Sequence, residues 1–274
     1  MQMLKRLTYS LDEIRPYVNW AYFFHAWQMD GKSGAEREEL QADALRLLDL
    51  FSSEYATHAV VGIYDAVSDG DDLLLGEVRM PMLRQQSPDP VEGACLCLAD
   101  FVRPASCGKT DRLGVFAATV DVEMEKRYAD DPYMRMLAQT LADRLAEATA
   151  ERLHEQVRKE FWGYAPEEQL TIPEMMAERF QGIRPAVGYP SLPDTSLNFI
   201  IDRLLDMQGI GIRLTEHGAM RPHASVSGLM ISHPQARYFN LGKIGDDQLA
   251  DYADRRGIPV EMMRKFLASN LWRK

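Results

Sequence analysis

The chain has little of what would tie it to a membrane, a nucleic acid or an oxidising compartment. No apolar run approaches the roughly 18 residues that a spanning helix needs, and residues 1–10 lack the apolar centre of a signal peptide. Basic residues are outnumbered, 31 against 41 acidic ones, for a formal charge of -10 with no basic patch, which disfavours a nucleic-acid footprint. The 3 cysteines, Cys95, Cys97 and Cys107, fit reduced thiols better than a disulfide framework. A cytoplasmic protein is the expectation. Phosphate-cradling loops are missing too. Gly209-Ile210-Gly211 stops short of the third glycine of a dinucleotide fingerprint, and neither a Gly-Lys-Ser/Thr run nor a nucleophile elbow occurs. The histidines (His25, His58, His154, His217, His223 and His233) form no evident pairs, so no catalytic or metal-binding residue is singled out. With no repeat, low-complexity tract or linker, residues 1–274 read as a single domain whose first 57 residues are mainly helical.

What is present is ample for a large core, at 46% hydrophobic residues. Ser10 with Glu13 three positions on has the pattern of a capping box, so the chain is expected to begin as helix. The aromatics Trp20, Tyr22, Phe23, Phe24 and Trp27 follow, a group expected to be mostly buried, with Asn19 as a polar member that needs a partner. Leu40, Ala44, Leu47, Leu48 and Phe51 mark an amphipathic helix over residues 36–55. The period then changes to that of a hairpin, residues 59–64 and 73–78 around a turn at 68–72. Asp69, Asp71 and Asp72 resemble a calcium loop, but the closing glutamate is missing. Residues 95–102 read as a strand with both sulfurs on one face, and residues 112–120 continue the sheet.

Asp130-Asp131-Pro132 caps the longest periodic segment, a helix from Tyr133 to about Trp162 with a stripe of Leu137, Leu141, Leu145, Leu153, Val157 and Phe161. Glu147 lies across that helix among alanines, and spacing alone reads it as solvated. A short helix is expected near 173–179 and another at 198–207, then a strand around Ser225 and Ser227 whose small residues allow a close approach. Residues 237–241 read as the last strand, before helices at 246–256 and 260–267.

Residues 178–190 form a polar turn of unusual content. Arg184 offers a planar fork of donors suited to a carboxylate, Pro185 fixes its own φ, Gly188 accepts backbone shapes closed to other residues, and Tyr189 adds a ring and a hydroxyl. Such a turn suits a small zwitterion, although on composition alone Arg-Pro and Gly-Tyr-Pro are more ordinary as structural punctuation.

Many ordered segments resemble one family, the C-terminal activation (reactivation) domain of cobalamin-dependent methionine synthase. They include Tyr17-Val18-Asn19-Trp20, Leu83-Arg84-Gln85-Gln86, Leu98-Ala99-Asp100-Phe101-Val102, Leu141-Ala142-Asp143-Arg144-Leu145-Ala146-Glu147-Ala148, Trp162-Gly163-Tyr164-Ala165, Gln181-Gly182-Ile183-Arg184-Pro185-Ala186-Val187-Gly188-Tyr189-Pro190 and Ala224-Ser225-Val226-Ser227-Gly228. The resemblance runs from about Ile14 to the end. It implies an α+β fold, a twisted antiparallel sheet with flanking helices, that binds S-adenosylmethionine (AdoMet). Arg184 matches the arginine that holds the ligand carboxylate, with Tyr189 and Ala186 in the same motif; Tyr238 and Phe239 match ligand aromatics, and Glu147 and Glu178 match carboxylates lining the site. The segment from Ala219 to Gly228 matches the loop that faces the corrin.

The chain departs from that pattern in three ways. Asn19 stands where the family has aspartate, so a ligand ammonium is expected to keep a hydrogen bond there and lose a charge partner. Leu192 and Thr195 replace a cysteine and a histidine, and Phe239 replaces a tyrosine. No Asp-x-His-x-x-Gly run occurs, so cobalamin is expected on a partner protein. The resemblance implies a stand-alone AdoMet-binding subunit that acts in trans, supporting reductive remethylation of cob(II)alamin on the cobalamin module of a methionine synthase, with a flavodoxin-type reductant. It would be a component of that methyltransferase rather than a catalyst alone. The alternative is a non-catalytic scaffold for a corrinoid protein that has lost AdoMet. An ordinary small-molecule methyltransferase lacks the glycine-rich AdoMet loop.

Overall fold

The computed structural model describes residues 3–88 and 93–272. Residues 1 and 2, where the signal-peptide reading starts, and the last two residues of the chain lie outside it. Strand β1 (Met3–Ser10) runs into a single helical turn, α1 (Leu11–Ile14), and Asn19 caps α2 (Trp20–Ala26). Helix α3 (Gly34–Ser52) opens on a capping box of Ser33 and Glu36. Strands β2 (Ala56–Asp69), β3 (Asp72–Leu75), β4 (Val78–Pro81) and β5 (Asp111–Val120) follow. After α4 (Glu123–Lys126), the Asp131 side chain and Pro132 start the longest helix, α5 (Pro132–Gln156). Then come α6 (Ile172–Met176), α7 (Asn198–Leu205), the short strands β6 (Arg213–Leu214) and β7 (Met220–Arg221), β8 (Ser225–Met230), α8 (Asp246–Arg256) and α9 (Val260–Phe266).

The main sheet is antiparallel in the order β4-β3-β2-β5-β8. β2 is long enough to share one edge between two partners, β1 along Ala56 to Ile63 and β3 along Ala66 to Asp69. Both faces of the sheet are covered, and alternation along β5 sorts its side chains between them. Phe116, Ala118 and Val120 join Leu137, Leu141, Leu145 and Leu153 of α5 in one core, while Leu113, Val115 and Ala117 join Ile200, Ile201 and Leu205 of α7 in the other. A third, smaller core gathers Leu249, Tyr252, Met263 and Leu267 from α8, α9 and the residue after it against Leu83 and Leu241.

Four expectations change. The chain begins with β1 rather than helix; Ser10 caps only the four residues of α1, and the Glu13 carboxylate accepts from Arg152 instead of closing the box. Residues 95–102 contain a tight helical turn (Leu98–Phe101), because the Asp100 carboxylate accepts the Cys97 N–H at 2.8 Å while Arg84 holds both that carboxylate and the Cys95 carbonyl. Residues 237–241 are not a strand: the Leu241 N–H goes to the Pro190 carbonyl and the Asn240 carbonyl accepts from Gln85. Of the aromatics near α2 only Phe23 is fully buried; Trp20, Phe24 and Trp27 are half-buried and Tyr22 is exposed, since so short a helix covers them on one side only. The expected helix to Trp162 does continue past α5, as a π-helical turn (Val157–Phe161). The aspartates of the calcium-like turn meet arginines, Asp69 and Asp72 on Arg79, Asp71 on Arg84, and Asp72 also on Arg255.

Candidate ligand-binding site

Five pieces of chain enclose a cavity of about 760 Å³ between α5 and the polar turn. From α5 come Arg144, Glu147, Ala148 and Glu151, a row at helical spacing on one face. The start of α2 supplies Asn19 and Tyr22, the end of α6 supplies Met176 and Glu178, and residues 184–191 and 238–240 close the rest. All eight residues named from the sequence, Asn19, Glu147, Glu178, Arg184, Ala186, Tyr189, Tyr238 and Phe239, line this one cavity.

The turn is held in place by the sheet. Residues 183–187 lie along the free edge of β8, with bridges Ile183 to Ile231 and Ala186 to Gly228. The Ile183 N–H donates to the Ile231 carbonyl and the Val187 N–H to the Ser227 carbonyl, each at 2.9 Å. The close approach expected at the small residues of β8 is therefore made by this backbone: a Cβ on Gly228 would sit 2.2 Å from the Pro185 oxygen. Gly182, at φ +84, lies equally tight on the Ile231 carbonyl.

Arg184 stands at the centre, its side chain 8% exposed. One Nη donates to the Glu151 carboxylate, the guanidinium lies 5.7 Å from the centre of the Phe116 ring, and Nε is buried with no hydrogen-bond partner among the described residues. Burial works against its charge, but Glu151, Tyr238 and Glu147 outweigh it and hold Arg184 firmly protonated. The Tyr238 hydroxyl accepts the Arg184 backbone N–H at 2.9 Å. Tyr189 donates its hydroxyl to Glu147, and burial followed by that carboxylate pushes the phenol well above its usual range.

Glu178 follows α6 at φ +55, the left-handed position of a Schellman motif: its N–H donates to Met175 and the Arg179 N–H to Glu174. Burial, and then the nearby Glu151, raise its carboxyl above the ordinary range, with Arg184 pulling the other way. Asn19 is not arranged as expected. Its amide oxygen accepts the Ala21 and Tyr22 N–H groups at 3.1 and 3.4 Å, and its amino group faces the Met176 sulfur at 3.5 Å. The atom that would accept from an ammonium is committed to the helix cap. Of the other departures, Leu192 is buried in the second core, and the Thr195 methyl lies 3.9 Å from a Cβ built on Gly188.

Glu151 and Arg144 were not singled out from the sequence, although they share the spacing of Glu147. Counting the lining residues, three carboxylates (Glu147, Glu151, Glu178) face two guanidiniums (Arg144, Arg184), which leaves one net negative charge. The family profile described as vitamin B12 dependent methionine synthase, activation domain, matches residues 10–257. The chain belongs to this activation-domain family. It is also similar to a crystal structure of the MetH reactivation domain bound to AdoHcy, with 38% identity, a TM-score of 0.92, and coverage of 99% of this chain and 91% of that one. The activation-domain fold, a curled antiparallel sheet with helices on both faces, is the one described above. No helix among the described residues is long and apolar enough to cross a membrane.

Proposed function

We propose that the cavity binds AdoMet and that this chain, acting in trans, serves the reductive remethylation of cobalamin carried by a methionine synthase module. The observation that carries the reading is Arg184, a buried cation with an unpaired Nε in a cavity of net negative charge. AdoMet at neutral pH has one carboxylate, one ammonium and one sulfonium, so its single net positive charge complements that cavity, whose volume is in the range of small-molecule sites. The relative of known structure holds AdoHcy, the product left when AdoMet gives up its methyl group.

In this reading Arg184 takes the ligand carboxylate, with Ala186 and Tyr189 beside it. Tyr238 and Phe239 offer aromatic faces to the sulfonium, and Glu147 and Glu178 offer it negative charge. Cobalamin, held by the partner, would supply the methyl-accepting chemistry, with a flavodoxin-type protein as the electron donor. The part of this chain is to bind and orient the methyl donor and to cover the corrin with the loop from Ala219 to Gly228. The protein is expected to work in the cytoplasm.

Titration calorimetry with AdoMet is expected to show one site, weakened at least tenfold in Arg184→Ala, since a hydrogen bond to a charged group contributes about 1.5–3 kcal/mol. Adding the protein, AdoMet and a reductant to a methionine synthase halted as cob(II)alamin is expected to restore the methylcobalamin spectrum. One observation favours a second reading, a scaffold that has lost AdoMet: the Asn19 oxygen is spent on the α2 cap. Absence of AdoMet heat together with retained binding to the cobalamin module would select it.

A further inference from the structure

We infer that Glu151 is the acceptor for the ligand's α-ammonium and so selects ligands that carry an α-amino acid end. The inference rests on the AdoMet reading and asks which group takes the second charge of the zwitterion. An ammonium and a carboxylate on the same carbon are only a few Å apart, so once the carboxylate lies on Arg184 the ammonium lies beside whatever already touches that guanidinium. That group is Glu151. The other acceptors are placed or occupied differently: Asn19 has given its oxygen to the α2 cap, Glu147 holds the Tyr189 hydroxyl, and the Glu178 carboxylate makes no hydrogen bond to Arg184. Arg184 need not release Glu151 to accept the ligand. A guanidinium has five N–H donors, and among the described residues only one Nη of this one is engaged, with Glu151. Carboxylate, guanidinium, carboxylate and ammonium then alternate in sign around the site, and Glu151 supplies the charge that an asparagine at position 19 does not.

The test compares three ligands, AdoMet, AdoHcy and 5′-methylthioadenosine, which lacks the amino acid end, on the full chain by calorimetry. Glu151→Gln is expected to weaken AdoMet and AdoHcy about 10–100-fold, the range for losing a charged hydrogen-bond acceptor, and to leave 5′-methylthioadenosine unchanged. If Glu151→Gln does not fold, Glu151→Asp keeps the charge beside Arg184 and withdraws its oxygens by one methylene. It is then expected to lower the affinity ratio of AdoHcy to 5′-methylthioadenosine. An unchanged ratio, or tighter AdoHcy binding in Glu151→Gln, overturns the assignment and makes Glu151 only a competitor for Arg184. Wild-type protein that binds neither AdoMet nor AdoHcy overturns the AdoMet reading itself, and this inference with it.

Discussion

Glu178 holds a carboxylate at the one backbone position of a Schellman motif where glycine is the usual choice. A left-handed non-glycine residue costs about 1–2 kcal/mol, and this one also places its charge in a half-buried cavity near Glu151. For an acid whose folded pKa lies above its unfolded value, the charged form is penalised in the fold, and the penalty is relieved as pH falls through the folded value. Neutralising the side chain should therefore leave stability at pH 7 the same or higher. The effect on a cationic ligand has the opposite sign, because only ionised Glu178 attracts a sulfonium. Glu178→Gln is expected to raise or maintain the ligand-free melting temperature at pH 7 and to weaken AdoMet roughly tenfold, since charges a few Å apart interact by about 1–4 kcal/mol. Wild-type affinity for AdoMet is expected to begin falling at a higher pH than an ordinary glutamate would give, and the variant to lose that step. A melting temperature that drops in the variant would contradict the account. Arg144, Glu147 and Glu151 form a row with the spacing of one helix face, but only Glu147 was singled out from the sequence. What was not legible is that the row meets Arg184, because that depends on how a distant turn crosses α5.

At the scale of elements, the turn owes its position to Gly228. There the Pro185 carbonyl and the Ala186 Cα come as close to β8 as a missing side chain allows. A methyl group has no room, so Gly228→Ala is expected to destabilise the protein by about 3 kcal/mol or more and to reduce ligand binding in the fraction that still folds. Denaturant unfolding measures the first and calorimetry the second, and a near-neutral result would mean that the turn shifts freely. Helix α3 was readable from periodicity because it buries one face, and the turn at 68–72 was readable from its composition. The hairpin arms, however, are Ala66–Asp69 and Asp72–Leu75 rather than 59–64 and 73–78, since residues 59–63 pair with β1 and β5 and a second turn at 76–77 separates β3 from β4. β1 was not readable, since it is an edge strand with mostly exposed or half-buried side chains and its partner lies some fifty residues away. Residues 237–241 have the aromatic content of a strand, yet Tyr238 is drawn to the Arg184 N–H and the backbone to Pro190 and Gln85. Side-chain and loop partners of that kind leave no periodic trace in the sequence.

Across the whole molecule, the three cores meet near the cavity. Asp194, just beyond the turn, accepts from Ser196 and from the Tyr252 hydroxyl of α8 at 2.8 Å, with Arg256 closing the network, so the C-terminal helices are tied to the loop beside the site. The turn itself has Ala186 in the core under α5, and Ile183 and Val187 in the core under α7. A segment anchored in both cores has no local way to open. Amide exchange at Ile183 and Val187 is therefore expected to be among the slowest in the chain and to follow global unfolding, where fast, denaturant-independent exchange would show a loop that opens by itself. The binding site is then not a region ordered by its ligand. Its rigidity is borrowed from the stability of the entire fold, so a ligand bound as proposed would meet donors already in position and lose little to conformational ordering.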